Sequence, residues 1–243
     1  MSDSAAANAM ATLFRTCPTT GLKVHKDADA LIKANAVAAT VALLIGGIAA
    51  ILVLLTRWQA VHLLSDVQFY RWLTIHGMNM LIFFIIFFEM AVLYFASAVL
   101  LNSRVATPWL GWVAFVLMVI GTLLVEWTMF TGQAAVLFTS SVPRRAHPAY
   151  YLGVILFAVG AILVTALYFA TLVVAKRDET YTGSVPLVTF GGITAAIIAA
   201  ITLAHGAAIY IPTFLWSLDM MGVDPQVYRL VWWGLGHSSQ QIN

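Results

Sequence analysis

The sequence predicts an all-α fold: a polytopic transmembrane helix bundle with five complete spans and the start of a sixth. Three observations carry that expectation. Of the 243 residues, 62% are hydrophobic and 9% are charged, against about 25% charged in soluble domains. Such a composition excludes an ordinary soluble enzyme, a disordered chain and a nucleic-acid binder. The charges are also clustered: among 12 Lys and Arg and 10 Asp and Glu, only Glu89 and Glu126 fall inside apolar runs. Finally, each run between clusters exceeds the roughly 20 residues a helix needs to cross a bilayer. The runs are two or three times too long for barrel strands of about 10 residues.

Residues 1–33 read as a polar tail on the cytoplasmic side, holding Asp3, Arg15, Lys23, Lys26, Asp27, Asp29 and Lys33. Within it, Asp27–Ala34 is expected to form the lip of helix one. Membrane helices then occupy 34–243. The expected spans are 34–57, 72–101, 106–130, 149–175 and 186–212, with a sixth from near Arg229 to Asn243. The first run comes too late and is too long for a cleaved signal peptide, and no internal repeat is evident. Cys17, the single cysteine, excludes a disulfide framework. With His25 it offers two ligands where a zinc site takes four, so both are expected to be structural. With the N-terminus inside, the inner segments hold seven Lys and Arg and the outer ones five. The positive-inside rule therefore places the 131–148 and 213–228 loops outside a cell membrane.

Intramembrane polar residues are costly and so are functional candidates. His76 lies early in helix two, followed by Gly77, whose missing side chain would let a flat macrocycle approach. Met80, Phe83 and Phe87 share its face at helical spacing. A neutral imidazole is a common axial ligand of haem iron, although a lone histidine on an apolar face is more often a packing residue. His237, preceded by Gly236, opens the polar stretch Ser238, Ser239, Gln240 and Gln241, which should line a cavity rather than face lipid. Gln241 is one turn from His237. Glu89, about 20 Å deeper than His76 at 1.5 Å per residue, is expected near the inner surface, where it snorkels or bonds a neighbouring helix. Glu126 is expected toward the outer end of helix three. His25, His62 and His147 fall in the tail or outer loops, and His205 is expected to be a core or pathway residue.

Taken together, several motifs resemble subunit I of the haem–copper oxidase superfamily, nearest its B-type branch. They are Trp72 to Leu81, Ala135 to Phe138, and His147 to Gly153. Val185 to Thr189 and Gly222 to Pro225 come next, and then Trp232, Trp233, Gly234, Leu235, Gly236 and His237. The resemblance runs from about residue 34 to the last residue. It implies that His76 is an axial ligand of a low-spin haem. It likewise implies that His237 is the first histidine of the dinuclear-centre metal, copper or non-haem iron. A high-spin haem would be held by helices outside this chain. The implied partners are the remainder of subunit I, a subunit II-like electron-entry subunit or cytochrome c, and the lipid bilayer.

Two departures from the family pattern shape the functional expectation. Family oxidases carry proline directly after this histidine and a tyrosine at the fourth position, where this chain has Ser238 and Gln241. Glutamine forms hydrogen bonds but has no accessible redox state or titrating proton. Nitric oxide reductases of the superfamily lack that tyrosine, which favours NO reduction. The alternative is an O2-reducing cytochrome c oxidase whose tyrosine comes from a helix not in this chain. The second departure is length. The family has at least twelve helices, so the chain is expected to be an incomplete subunit, inactive alone. Two other classes have less in their favour. A stand-alone di-haem cytochrome needs paired histidines at matched depth, and a transporter would use helices broken at midplane, for which Pro212 alone does not suffice.

Overall fold

A short hairpin leads into the first membrane helix in the computed structural model, which describes residues 12–242. Strands β1 (Phe14–Thr16) and β2 (Lys23–His25) pair antiparallel, with Phe14 opposite His25. Helix α1 (Lys26–Arg57) continues from β2 without a break, so it begins at Lys26 rather than at residue 34. Its charged first turns are held by ion pairs. Arg15 grips Asp29 with two hydrogen bonds of 2.6 and 3.0 Å, and Lys33 reaches the same carboxylate at 2.8 Å. Acidic side chains are also favoured near a helix N-terminus by the helix dipole.

The hairpin separates Cys17 from His25. Cys17 N donates to Leu22 O beyond the last strand pair, three register steps from the Phe14–His25 pair, or roughly 10 Å along the strand. The two side chains do not share a site. His25 is buried and meets the Phe14 ring edge-on at 5.5 Å.

Among the described residues five further helices follow: α2 (Asp66–Val99), α3 (Pro108–Phe130), α4 (Pro148–Arg177), α5 (Leu187–Ser217) and α6 (Pro225–Ser239). The first five helices are long and apolar enough to cross a membrane. Two boundaries move from their expected places for local reasons. Helix α6 begins at Pro225 because the Asp224 carboxylate accepts from Gln226 N and Val227 N at 2.8 and 2.9 Å. That is an N-cap, and a proline in the first helical position sacrifices no needed donor. Helix α5 continues through Pro212 to Ser217, tolerating the missing N–H.

Packing depends on small residues. Within a bilayer no hydrophobic drive pulls helices together, so close backbone approach does that work. A Cβ on Gly121 of α3 would collide with Gly153 O of α4, and one on Gly153 would lie 2.7 Å from Gly121 O. Helix α1 packs on α2 and α3, α4 on α2, α3 and α5, and α6 on α5. Buried hydroxyls tie three of them. Tyr168 donates to Thr189 O at 2.6 Å, and Thr189 Oγ1 donates to Ala96 O at 2.7 Å.

Helix α2 is not a regular α-helix. Residues Asn79–Phe84 and Phe95–Val99 form wider π-helical turns, which occur often at functional sites. Each extra residue rotates the downstream part of the helix by about 100°. That rotation overturns the single face expected for His76, Met80, Phe83 and Phe87. His76 and Met80 face α1, whereas Phe83 and Phe87 turn to Phe157 of α4, with ring centroids 5.1 and 5.3 Å apart.

Candidate haem and metal sites

His76 lies one turn before the first π-helical stretch of α2 and is half-buried. Its Nδ1 is 3.0 Å from Gly46 O on α1. A carbonyl only accepts, so Nδ1 carries the hydrogen and the lone pair is on Nε2. The approach of the two helices requires glycine at this point. A Cβ on Gly46 would lie 2.8 Å from both Met80 Cγ and Met80 Sδ and 3.1 Å from Asn79 Cβ. The bond from α1 therefore orients the imidazole and leaves Nε2 free to bind a metal.

Gly77 does something other than expected. Its open side is filled by Phe138 of the α3–α4 loop, whose Cβ would lie 2.9 Å from an added Cβ. No macrocycle approaches through that gap. The loop is fastened beside it by Leu137 N, which donates to Thr74 Oγ1 at 3.0 Å. Phe138 also meets Trp232 of α6 edge-on at 5.7 Å, so one loop residue touches both helices that carry candidate ligands. Further along the loop, Ser140 Oγ lies 2.9 Å from Tyr150 OH and 3.3 Å from Tyr210 OH. Tyr228 of α6 donates to Thr139 O at 2.7 Å. These buried hydroxyls fix the loop against α4, α5 and α6, a role the sequence did not disclose.

His237 is exposed in the last turn of α6. Gln241 lies beyond the helix, in a turn where its N donates to Ser238 O at 3.1 Å, so the expected one-turn offset on a continuous helix is not formed here. Terminal carbonyls without a partner four residues on take such tighter bonds. His205 of α5 packs directly on α6: its Nε2 would lie 2.9 Å from a Cβ on Gly234, three residues before His237. Its Nδ1 bonds Ile201 O at 2.9 Å. The sequence leaves this placement of His205 unread because nothing in the local pattern shows which neighbour a helix face meets. His147 caps α4, accepting from Ala149 N at 3.2 Å, and His62 is exposed in the α1–α2 loop. Among the described residues, no three His, Cys, Asp or Glu side chains cluster as metal ligands.

The two membrane carboxylates differ in setting. Glu126 is buried and accepts from Asn79 Nδ2 at 2.7 Å. Glu89 lines an apolar cavity of about 120 Å³ between α2, α4, α5 and α6, together with Met78, Phe157, Thr202, Tyr210 and Leu235. The expected bond from Glu89 to a neighbouring helix is not formed among the described residues.

A family model described as cytochrome c and quinol oxidase polypeptide I matches residues 30–242. The chain belongs to that family. It is 30% identical over 184 residues to cytochrome c oxidase subunit 1 of Thermus thermophilus, covering 72% of this chain and 31% of that protein. A solved haem–copper terminal oxidase dimer superposes with a TM-score of 0.81 at 25% identity, over 90% of this chain and 38% of the other. The chain thus spans about a third of the length of these relatives. As part of a haem–copper oxidase subunit I, it is a multi-pass membrane protein.

The residues present fit a haem iron at one position. His76 supplies a half-buried imidazole whose Nδ1 is restrained by a backbone carbonyl, and an outer partner of that kind raises ligand basicity and fixes ring orientation. Glycine at position 46 is what permits the restraint. His237 offers a single exposed imidazole.

Proposed function

We propose that this chain is the N-terminal part of a membrane haem oxidoreductase of the cell membrane that reduces nitric oxide at a haem and non-haem-metal centre. The observation that carries the haem reading is the bond from His76 Nδ1 to Gly46 O, which leaves the lone pair on Nε2, the atom that would hold the haem iron. A low-spin haem bound there supplies one-electron transfer. The chain's own contribution is to hold the imidazole in one tautomer and, through α1 and Met80, to close the side facing Gly46. His237 is proposed as one ligand of copper or non-haem iron. The high-spin haem and the other ligands would come from the remainder of subunit I, and electrons from a subunit II-like protein or cytochrome c.

The substrate assignment rests on Gln241. Two NO, two electrons and two protons give N2O and water, and no side chain is oxidised. Reduction of O2 takes four electrons and four protons, and a redox-active tyrosine assists it in oxidases. In sequence Gln241 is the fourth residue after His237, the position that tyrosine takes in family oxidases, and an amide supplies hydrogen bonds but no electron. The Thermus relative, named a cytochrome c oxidase, favours a second reading in which O2 is the substrate and another helix supplies the phenol.

Two measurements on the intact complex test these assignments separately. His76→Ala should remove the low-spin haem band while protein stays in the membrane, and an unchanged spectrum would sink the haem assignment. Paired turnover of NO and O2 with one electron donor should favour NO. Robust four-electron O2 reduction with negligible NO consumption would reject the reductase reading and leave the oxidase one.

A further inference from the structure

The contact between Asn79 and Glu126 contains an imbalance of donors and acceptors. Asn79 is fully buried and Glu126 nearly so. Asn79 Nδ2 spends both hydrogens, on Ile75 O at 3.0 Å and on Glu126 Oε1 at 2.7 Å. Two oxygens are then left buried without a partner: Asn79 Oδ1 and Glu126 Oε2. Both accept, and neither can satisfy the other while Glu126 is a carboxylate. Leaving buried polar atoms unpaired is costly, and more so for a charged group. An unpaired carboxylate in a low-dielectric interior costs far more, and such groups neutralise instead.

Among the described residues no counter-charge pairs with Glu126. The charged and titratable groups named on the packed elements are engaged with other partners. On α2, Arg71 Nε is engaged by Met129 O at 2.9 Å, and His76 Nδ1 is turned to Gly46 O. On α4, Tyr150 OH bonds Met78 Sδ at 3.3 Å and Ser140 Oγ at 2.9 Å. Helix α1 has no charged residue between Lys33 and Arg57. A single proton on Glu126 Oε2 resolves the imbalance. It removes the charge and supplies a donor where two acceptors lack one. A carboxylic acid and a primary amide are complementary side by side, N–H to one oxygen and O–H to the other.

We propose that Glu126 is held as a neutral carboxylic acid whose proton is shared with Asn79, a proton-holding site inside the membrane one turn from His76. Asn79 is the positioning residue. It is fixed by its bond to Ile75 O and by the close packing of Gly46 against its Cβ. The proposal stands on this pair alone and holds whether or not His76 carries a haem.

The test uses the full complex in membranes. Infrared spectra at neutral pH should contain a protonated-carboxyl C=O band that Glu126→Gln removes and Asn79→Leu shifts. Thermal unfolding in mild detergent gives an independent readout. Glutamine reproduces the donor and acceptor pattern of the neutral acid, so Glu126→Gln should melt with the wild type. Glu126→Leu, which leaves Asn79 Nδ2 short of an acceptor, should melt lower. Superimposable wild-type and Glu126→Gln spectra in the carboxyl region would overturn the proposal. So would a carboxylate band assigned to Glu126 at neutral pH. Should Asn79→Leu fail to accumulate, the band lost in Glu126→Gln still decides the protonation state.

Discussion

Replacing Gly46 by valine should weaken binding of the proposed low-spin haem while leaving His76 in place. At this position α1 lies so close to α2 that even a Cβ would meet Met80 Cγ and Sδ at 2.8 Å and Asn79 Cβ at 3.1 Å. Ordinary carbon contacts begin near 3.5 Å, leaving an overlap of about 0.4 Å with Asn79. The Met80 side chain can swing away. Asn79 cannot, because both its Nδ2 hydrogens are committed and its Cβ moves only with the backbone. The helices must therefore separate, and valine adds two methyl groups to the wedge. Overpacking of this kind costs about 1–3 kcal/mol. The same separation lengthens the 3.0 Å bond from His76 Nδ1 to Gly46 O, and loss of such an orienting bond typically lowers metal affinity about 10–100-fold. The assay is haem per folded subunit, read from the reduced spectrum of purified complex, with His76→Ala as the zero. Gly47→Val serves as the control, since a Cβ there meets nothing within 4 Å. A Gly46→Val complex with full low-spin absorbance, equal to the control, would refute the argument that α1 orients the imidazole.

Two further expectations concern the ends of the bundle. Cysteines introduced in a Cys17→Ser background at Ser141, in the α3–α4 loop, and at Lys176, in the last turn of α4, are separated by that helix, whose 30 residues span about 45 Å. Impermeant reagent added outside should label Ser141→Cys and spare Lys176→Cys, and labelling of both from one side would break the topology. The second concerns native Cys17. Hydrogen bonds from the Thr20 hydroxyl, then from the Thr20 and Thr19 amides, favour its thiolate and bring its pKa to about 7. Alkylation should accordingly rise through a midpoint near pH 7 and be nearly complete in rate by pH 8. A Thr20→Val change should move that midpoint up, and an unmoved midpoint would remove Thr20 as the cause.

Legible and hidden features of this chain divide along the range of the interactions. Span count was legible because apolar runs bounded by charges are a local property, and crossing a bilayer sets their length. His76 stood out as a candidate from its neighbours along the chain. Its partner did not: Gly46 is 30 residues away on another helix, and nothing in either stretch specifies that they meet. The π-helical turn at Asn79–Phe84 has no comparable local signature, so counting at 3.6 residues per turn put Phe83 and Phe87 on the wrong face. Gly77 was read for its missing side chain, correctly as a vacancy and wrongly as one for a macrocycle, because Phe138 arrives from a loop 61 residues on. The early start of α1 was hidden for a similar reason. Its first turns look polar until Arg15 of the hairpin is brought to Asp29.

These long-range contacts converge on one stretch of α2. Gly46 of α1 touches it at His76, Asn79 and Met80, Phe138 of the α3–α4 loop touches it at Gly77, and Glu126 of α3 touches it at Asn79. Tyr150 of α4 reaches it at Met78. Five consecutive residues thus receive contacts from three other helices and a loop, immediately where the helix widens. A regular α-helix would repeat the face of His76 at Met80 and again at Phe83, committing one side of α2 to α1. The wider turn instead gives α1 the His76–Met80 edge and returns Phe83 and Phe87 to the aromatic core around Phe157. Orienting an imidazole against one helix and packing a core against another are competing demands on a single helix face. The π-helical turn reconciles them by rotating the lower part of α2 away from the part that holds the candidate ligand. Removing one residue from Asn79–Phe84 would restore the regular phase and set the two demands against each other.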